Sequence, residues 1–211
     1  MQHRYLLIVR FALINAVAAA FLAVAWLQGW LDGIINEQLW ELSALIFIVF
    51  LYGLAICAHR VWRHSNELNG VKAGAPDPES WAGRYLADVE GAGPESRQML
   101  ADGFRLKITN RVAIVRHIAN ALVFLGLIGT VIGFIIALSG VDPESAGKAE
   151  NVAAMVATLI SGMSVALYTT LIGAILYTWL TVSYRILVTG AVDLITATVE
   201  LGEARGRSRR T

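Results

Sequence analysis

From Asn151 to Tyr184 the sequence runs 34 residues without one Asp, Glu, Lys or Arg. A segment that apolar must be buried in a large protein core or placed in lipid. With 211 residues, 56% of them hydrophobic and 16% charged, the chain is too apolar for a water-soluble domain of its size. Three more runs have the same character: Phe11 to Trp30, interrupted by Asn15 and Gln28, Leu42 to Ala58, and His117 to Val141. A helix needs about 20 apolar residues to cross the hydrocarbon core, and these runs are each close to one crossing. The longest run outreaches a bilayer, so its helix is expected to continue into water or to line a protein interior. The expected fold class is therefore all-α: an integral membrane protein with four transmembrane helices, the inner two extended into the cytoplasm.

Orientation follows from where the charges fall rather than from their sum of +1. Of the 17 Lys and Arg residues, Arg4 and Arg10 precede the first span, nine lie from Arg60 to Arg116, and five follow the fourth span from Arg185 to Arg210. The connections after spans one and three hold only Lys148 against Asp32, Glu37, Asp142, Glu144 and Glu150. The positive-inside rule then puts both termini and the long middle segment in the cytoplasm. A fifth span over Ile186 to Leu201 would enclose Asp193 and push the basic tail outside, and is rejected for that reason. A cleaved leader is not favoured at the N-terminus either, because the first apolar run exceeds the usual core of about 7 to 15 residues. Trp26, Trp30 and Trp40 mark the outer boundary and Trp62 the inner one.

These readings divide the chain into an N-terminal transmembrane hairpin over residues 1–58, a cytoplasmic helical segment over 59–116, a transmembrane helix pair over 117–184 and a cytoplasmic helical extension with a basic tail over 185–211. In the cytoplasmic segment, Asp77, Pro78 and Glu79 predict a helix opening there and running to about Val89. Gly91, Gly93 and Pro94 break it, and a second helix continues from Pro94 into span three with Gly103 as its weak point. Span four runs on past the membrane, since Ile186, Leu187, Ala191, Leu194, Ile195 and Val199 recur at helical spacing. The basic residues Arg97, Arg105, Lys107 and Arg111 form a solvated face, hold anionic lipid head groups or contact a partner.

Enzyme chemistry finds no constellation. Neither inner span contains a carboxylate, lysine or arginine, and His3, His59, His64 and His117 lie at or beyond the cytoplasmic boundary. No phosphate-binding glycine loop, cofactor motif or metal-ligand spacing is present, and nothing implies a nucleic-acid partner. The single cysteine, Cys57, is read as a buried thiol.

What stands out instead are two faces of small residues. At 100° per residue Gly126, Thr130, Gly133, Ala137 and Gly140 share a stripe of span three. Thr158, Gly162, Ala166, Thr169, Gly173 and Tyr177 share one of span four, with Thr170 at its edge. Read from pattern alone, such faces serve close helix packing in lipid.

The stretches LGLIGTVIGFIIAL (Leu125 to Leu138) and GMSVALYTTLIG (Gly162 to Gly173), in this order on either side of a short outer loop, resemble the two pore-forming helices of the MotA/TolQ/ExbB proton-channel family. The resemblance covers roughly Arg105 to Tyr184, whereas the first two spans match only in hydropathy and topology. It implies a pentameric ring in the bacterial inner membrane, with the last two spans innermost around a pore. A threonine of each faces that pore, here Thr130 and Thr170, and Thr169, Gly126, Gly133, Ala137, Gly162, Ala166 and Gly173 line it with them. The resemblance also implies a dimer of single-span partners of the MotB, ExbD or TolR type, each carrying an intramembrane aspartate, and conversion of ion-motive force, read as proton-motive, into mechanical work as in a stator. The chain departs from TolQ and ExbB in having Val123 in place of a proline, and from ExbB in having Val165 in place of a glutamate. With that acid missing, the titrating group must come from the partner. The competing reading is a non-conducting membrane scaffold whose small faces bind a partner helix.

Overall fold

The computed structural model describes residues 6–29, 40–140 and 149–208. It contains α1 (Leu6–Leu27), α2 (Trp40–Lys72), α3 (Trp81–Val89), α4 (Pro94–Ser139) and α5 (Ala149–Ser208). Four of these helices are long and apolar enough to cross a membrane, so the chain is a multi-pass membrane protein of all-helical class. Trp30, the outer acids Asp32, Glu37, Asp142 and Glu144, Lys148, and Arg209 and Arg210 of the tail lie outside the described residues.

Helices α4 and α5 are continuous over 46 and 60 residues, and neither Gly103 nor the end of the uncharged run at Tyr184 interrupts them. At about 1.5 Å per residue they reach roughly 70 and 90 Å, more than twice the thickness of hydrocarbon. Helix α2 also continues beyond its apolar run, to Lys72, which the sequence pattern did not indicate. It stops at Gly74, whose φ of +73° is the left-handed cap that glycine adopts without strain.

The chain forms two compact units: Met1–Ala16, Leu54–Arg116 and Val182–Thr211 make the first, Val17–Gly53 and His117–Thr181 the second. The first has an aromatic and aliphatic core in which Tyr85 of α3 stacks on Phe104 of α4 at 4.9 Å, with Leu86, Val89, Ile108 and Leu194 buried alongside. Helix α3 begins at Trp81 rather than at Asp77. Asp77 Oδ1 accepts the Glu79 amide, closing a turn of its own, while Ser80 Oγ accepts from the Gly83 amide at 2.9 Å and so takes the N-cap. Gly83 is needed there, because a Cβ would run into the Asp77 carbonyl folded back over the first turn. Of the basic residues singled out above, Arg97 donates to the Ala92 carbonyl, Arg105 stands 3.7 Å from Asp102, and Arg111 lies over the Trp81 ring.

In the second unit Phe50 of α2 meets Trp179 of α5 with ring centroids 5.0 Å apart, and a Cβ on Gly53 would touch Leu180 and Ile118 side chains. Much of the unit's apolar surface is uncovered in one chain: Phe21 is 70% exposed, Leu167 69% and Phe124 64%. Lipid or neighbouring subunits are the media in which such surface is stable.

Candidate functional site

The site lies where α4 and α5 run against each other in the second unit. With no hydrophobic drive between helices in lipid, close association depends on van der Waals contact between backbones, which only small residues permit. Here that contact is direct. A Cβ built on Gly133 would stand 2.5 Å from the Ala166 nitrogen and 2.6 Å from the Gly162 carbonyl. One on Gly173 would stand 2.8 Å from the Leu122 carbonyl, and one on Gly162 would collide with the Ala137 backbone. Gly126 faces the Thr169 carbonyl and Thr170 Cα, and Gly140 the Thr158 side chain. Gly129 belongs to the same seam, pressed against the Thr169 side chain. Sequence reasoning left Gly129 off the stripe, although its spacing of three and four residues from Gly126 and Gly133 is the signal that places it there.

Of the residues read as pore-lining, Gly126, Gly133, Ala137, Gly162, Ala166, Thr169 and Gly173 are buried in the single chain, with Thr169 fully covered. Thr130 and Thr170 alone among them keep partial exposure. Helical geometry explains the split: relative to the centre of the glycine stripe on each helix, Thr130 and Thr170 are rotated to its edge.

Their hydrogen bonds bring the two threonines to one level. Thr130 Oγ1 donates to the Leu127 carbonyl at 2.6 Å within α4, and Thr170 Oγ1 donates across from α5 to the Gly126 carbonyl at 3.2 Å. Two hydroxyls from different helices thus converge on consecutive carbonyls of a single turn. Thr158, Ser164, Thr169 and Thr178 likewise donate to carbonyls of their own helix. A hydroxyl has one proton to give, so with that proton committed it turns only lone pairs outward. Such oxygens can accept from water, from a hydrated cation or from the O–H of a neutral carboxylic acid. They cannot donate to a carboxylate without first breaking a helix contact.

Among the described residues no group of three or more His, Cys, Asp or Glu side chains could hold a metal ion. Residues 96–199, which take in α4 from its third residue and most of α5, match the model of the MotA/TolQ/ExbB proton channel family. No curated protein and no solved structure matches the chain.

Proposed function

From the membership of residues 96–199 in the MotA/TolQ/ExbB proton channel family, we propose that this chain is the ring-forming subunit of a proton channel that converts ion-motive force into mechanical work. Five copies place α4 and α5 innermost, and a dimer of single-span partners occupies the pore. The ring sits in a bacterial inner membrane, and the distribution of Lys and Arg supports both termini being cytoplasmic. The observation that carries this reading is the convergence of Thr130 and Thr170 on one turn of α4, within the matched segment.

Each residue then has a distinct task. Gly126, Gly133, Ala137, Gly162, Ala166, Thr169 and Gly173 hold the two helices at backbone contact and form the wall. Thr130 and Thr170 offer its accepting oxygens to the pore. Because neither inner span contains a carboxylate, lysine or arginine, and His117 stands at the boundary rather than within, the proton is carried by an aspartate of the partner. Lone pairs on the threonines favour that aspartate in its protonated, donating state and disfavour the carboxylate. Its charge state therefore changes how the partner helix sits against the ring, and that difference drives motion.

The test is proton flux into liposomes under a pH gradient. The chain alone is expected to be silent, with flux appearing on co-reconstitution with its partner and disappearing when the partner's aspartate becomes asparagine. Thr130→Val and Thr170→Val should assemble normally yet lose most of that flux. Flux from the chain alone would sink the mechanism, and assembly with the partner that never conducts would favour the scaffold reading.

A further inference from the structure

The first unit holds a cluster of polar groups that the channel reading does not use. Arg60 is three and four residues from Arg63 and His64, and Glu67 four and three beyond them, so a single face of α2 carries all four. Arg63 Nε donates to Glu67 Oε1 at 3.2 Å. The Arg63 and Arg111 guanidinium carbons lie 4.1 and 4.2 Å from the centroid of the Trp81 ring, two cations on one indole. Three atoms of the cluster, Arg60 Nη1, His64 Nδ1 and Glu67 Oε2, are buried with no hydrogen-bond partner among the described residues. Native proteins rarely leave such atoms unmatched.

The charges do not balance either. Of the three guanidinium groups in the cluster, Arg63 alone is paired with a carboxylate among the described residues, that of Glu67. His64, 2% exposed, is held neutral because burial and then the fields of Arg60 and Arg63 push its pKa down to about 4. Burial and the nearby Arg111 also depress Arg60. Arg63 has its carboxylate, while Arg60 and Arg111 have none among the described residues. A half-buried excess of positive charge with unused donors is stabilised by a ligand rich in anionic oxygens. Depth narrows the source. Arg60 is two residues past Ala58 and Arg111 six before His117, so both lie within roughly 10 Å of the ends of the apolar runs, at or near the polar zone of a leaflet.

We propose that Arg60 and Arg111, with the His64 imidazole behind them, bind a phosphate group, carried by an anionic phospholipid of the adjoining leaflet. The planar guanidinium of each arginine can pair two N–H groups with two phosphate oxygens. Stacking on Trp81 fixes the plane of Arg111 beforehand, and a neutral His64 can donate from Nδ1. Glu67, the acid on this face, is engaged by Arg63, which keeps its repulsion from dominating the Arg60 and Arg111 end.

Thermal unfolding of the full chain in mixed micelles tests the site, comparing phosphatidylglycerol with phosphatidylcholine at equal fraction, and inorganic phosphate without added lipid. The native chain and an Arg84→Gln control, altered on the exposed side of α3, should melt higher with phosphatidylglycerol than with phosphatidylcholine, and Arg60→Gln and Arg111→Gln should lose that increment. Inorganic phosphate reproducing the increment, and losing it in the same two variants, would support the phosphate site and assign it to a free anion. Equal increments in the native chain and both variants would overturn it, as would no response to either source. Should a variant not fold, native mass spectrometry of the unaltered chain decides: selective retention of phosphatidylglycerol supports the site, and indifference between the two lipids refutes it.

Discussion

In the second unit a glycine backbone lies against a glycine backbone, whereas in the first an indole holds two guanidinium groups. Gly133 and Gly162 make the first kind of contact, Trp81 with Arg63 and Arg111 the second. The seam has almost no side chain and commits its hydroxyl protons to carbonyls, so it offers little to titrate or compress. The first unit is built from large side chains and leaves buried donors unmatched. Lipid removes the hydrophobic gain from helix association and leaves close approach as the main attraction. Outside lipid that gain returns, and bulky side chains are the ones that use it. The seam should therefore fail when volume is added and the first unit when charge is changed.

The largest effect is expected at Gly133. In Gly133→Leu the new side chain would have to displace the Ala166 and Gly162 backbone, which cannot rotate away, at a cost of at least about 3 kcal/mol. Monodisperse protein in detergent should be lost. A variant that purified and melted like the native chain would show the seam to be loose and end the contrast between the units.

Acid should act on the first unit. His64 is neutral when folded, with a pKa of about 4, and protonates near 6.5 when unfolded. Between those values the unfolded chain binds the extra proton, so stability falls as pH is lowered through 6.5 towards 4 and is fully present above 6.5. By pH 5 the loss is about 2 kcal/mol at 1.36 kcal/mol per unit. Melting temperature against pH should show this slope, and His64→Gln should flatten it. An unchanged slope would place the acid sensitivity elsewhere.

Thr170→Val tests whether the seam's polar contacts matter for stability as well as transport. Losing the bond to the Gly126 carbonyl should cost about 1 kcal/mol or less, a small shift in melting beside the large loss of flux. A loss as large as that of Gly133→Leu would make Thr170 a structural residue first. The smallest change should be a gain. Gly103 has nothing within 4 Å of a built Cβ and sits inside α4, so Gly103→Ala should stabilise by about 0.5 kcal/mol. Destabilisation would mean that this stretch of α4 needs its glycine.

Four membrane-capable helices, the length of α4 and α5 and the family they match were all legible before any coordinates, because each depends on local hydropathy, helical period or a contiguous motif. The opening of α3 was misplaced by a few residues, since Asp77 and Ser80 are both good caps and only the folded turn shows which one meets the Gly83 amide. The small-residue stripes were visible too, but not what they face. Periodicity says that residues share a side of a helix and is silent on whether that side meets a pore, lipid or another helix of the same chain.

The sequence by itself determined that this chain lives in a membrane, how its ends are expected to lie, and which two helices match the channel family. Only the tertiary structure decided that Gly129 joins the seam, that Thr169 is covered while Thr130 and Thr170 stay partly open, and that the protons of the latter two are committed to adjacent carbonyls. It also gathered Arg60, His64, Trp81 and Arg111, from three helices, into one cluster. The reason is range: hydropathy and helical period are properties of neighbours along the chain, whereas burial and hydrogen-bond direction depend on residues far apart in it, 44 positions for Gly126 and Thr170 and 168 for Asn15 and Ser183.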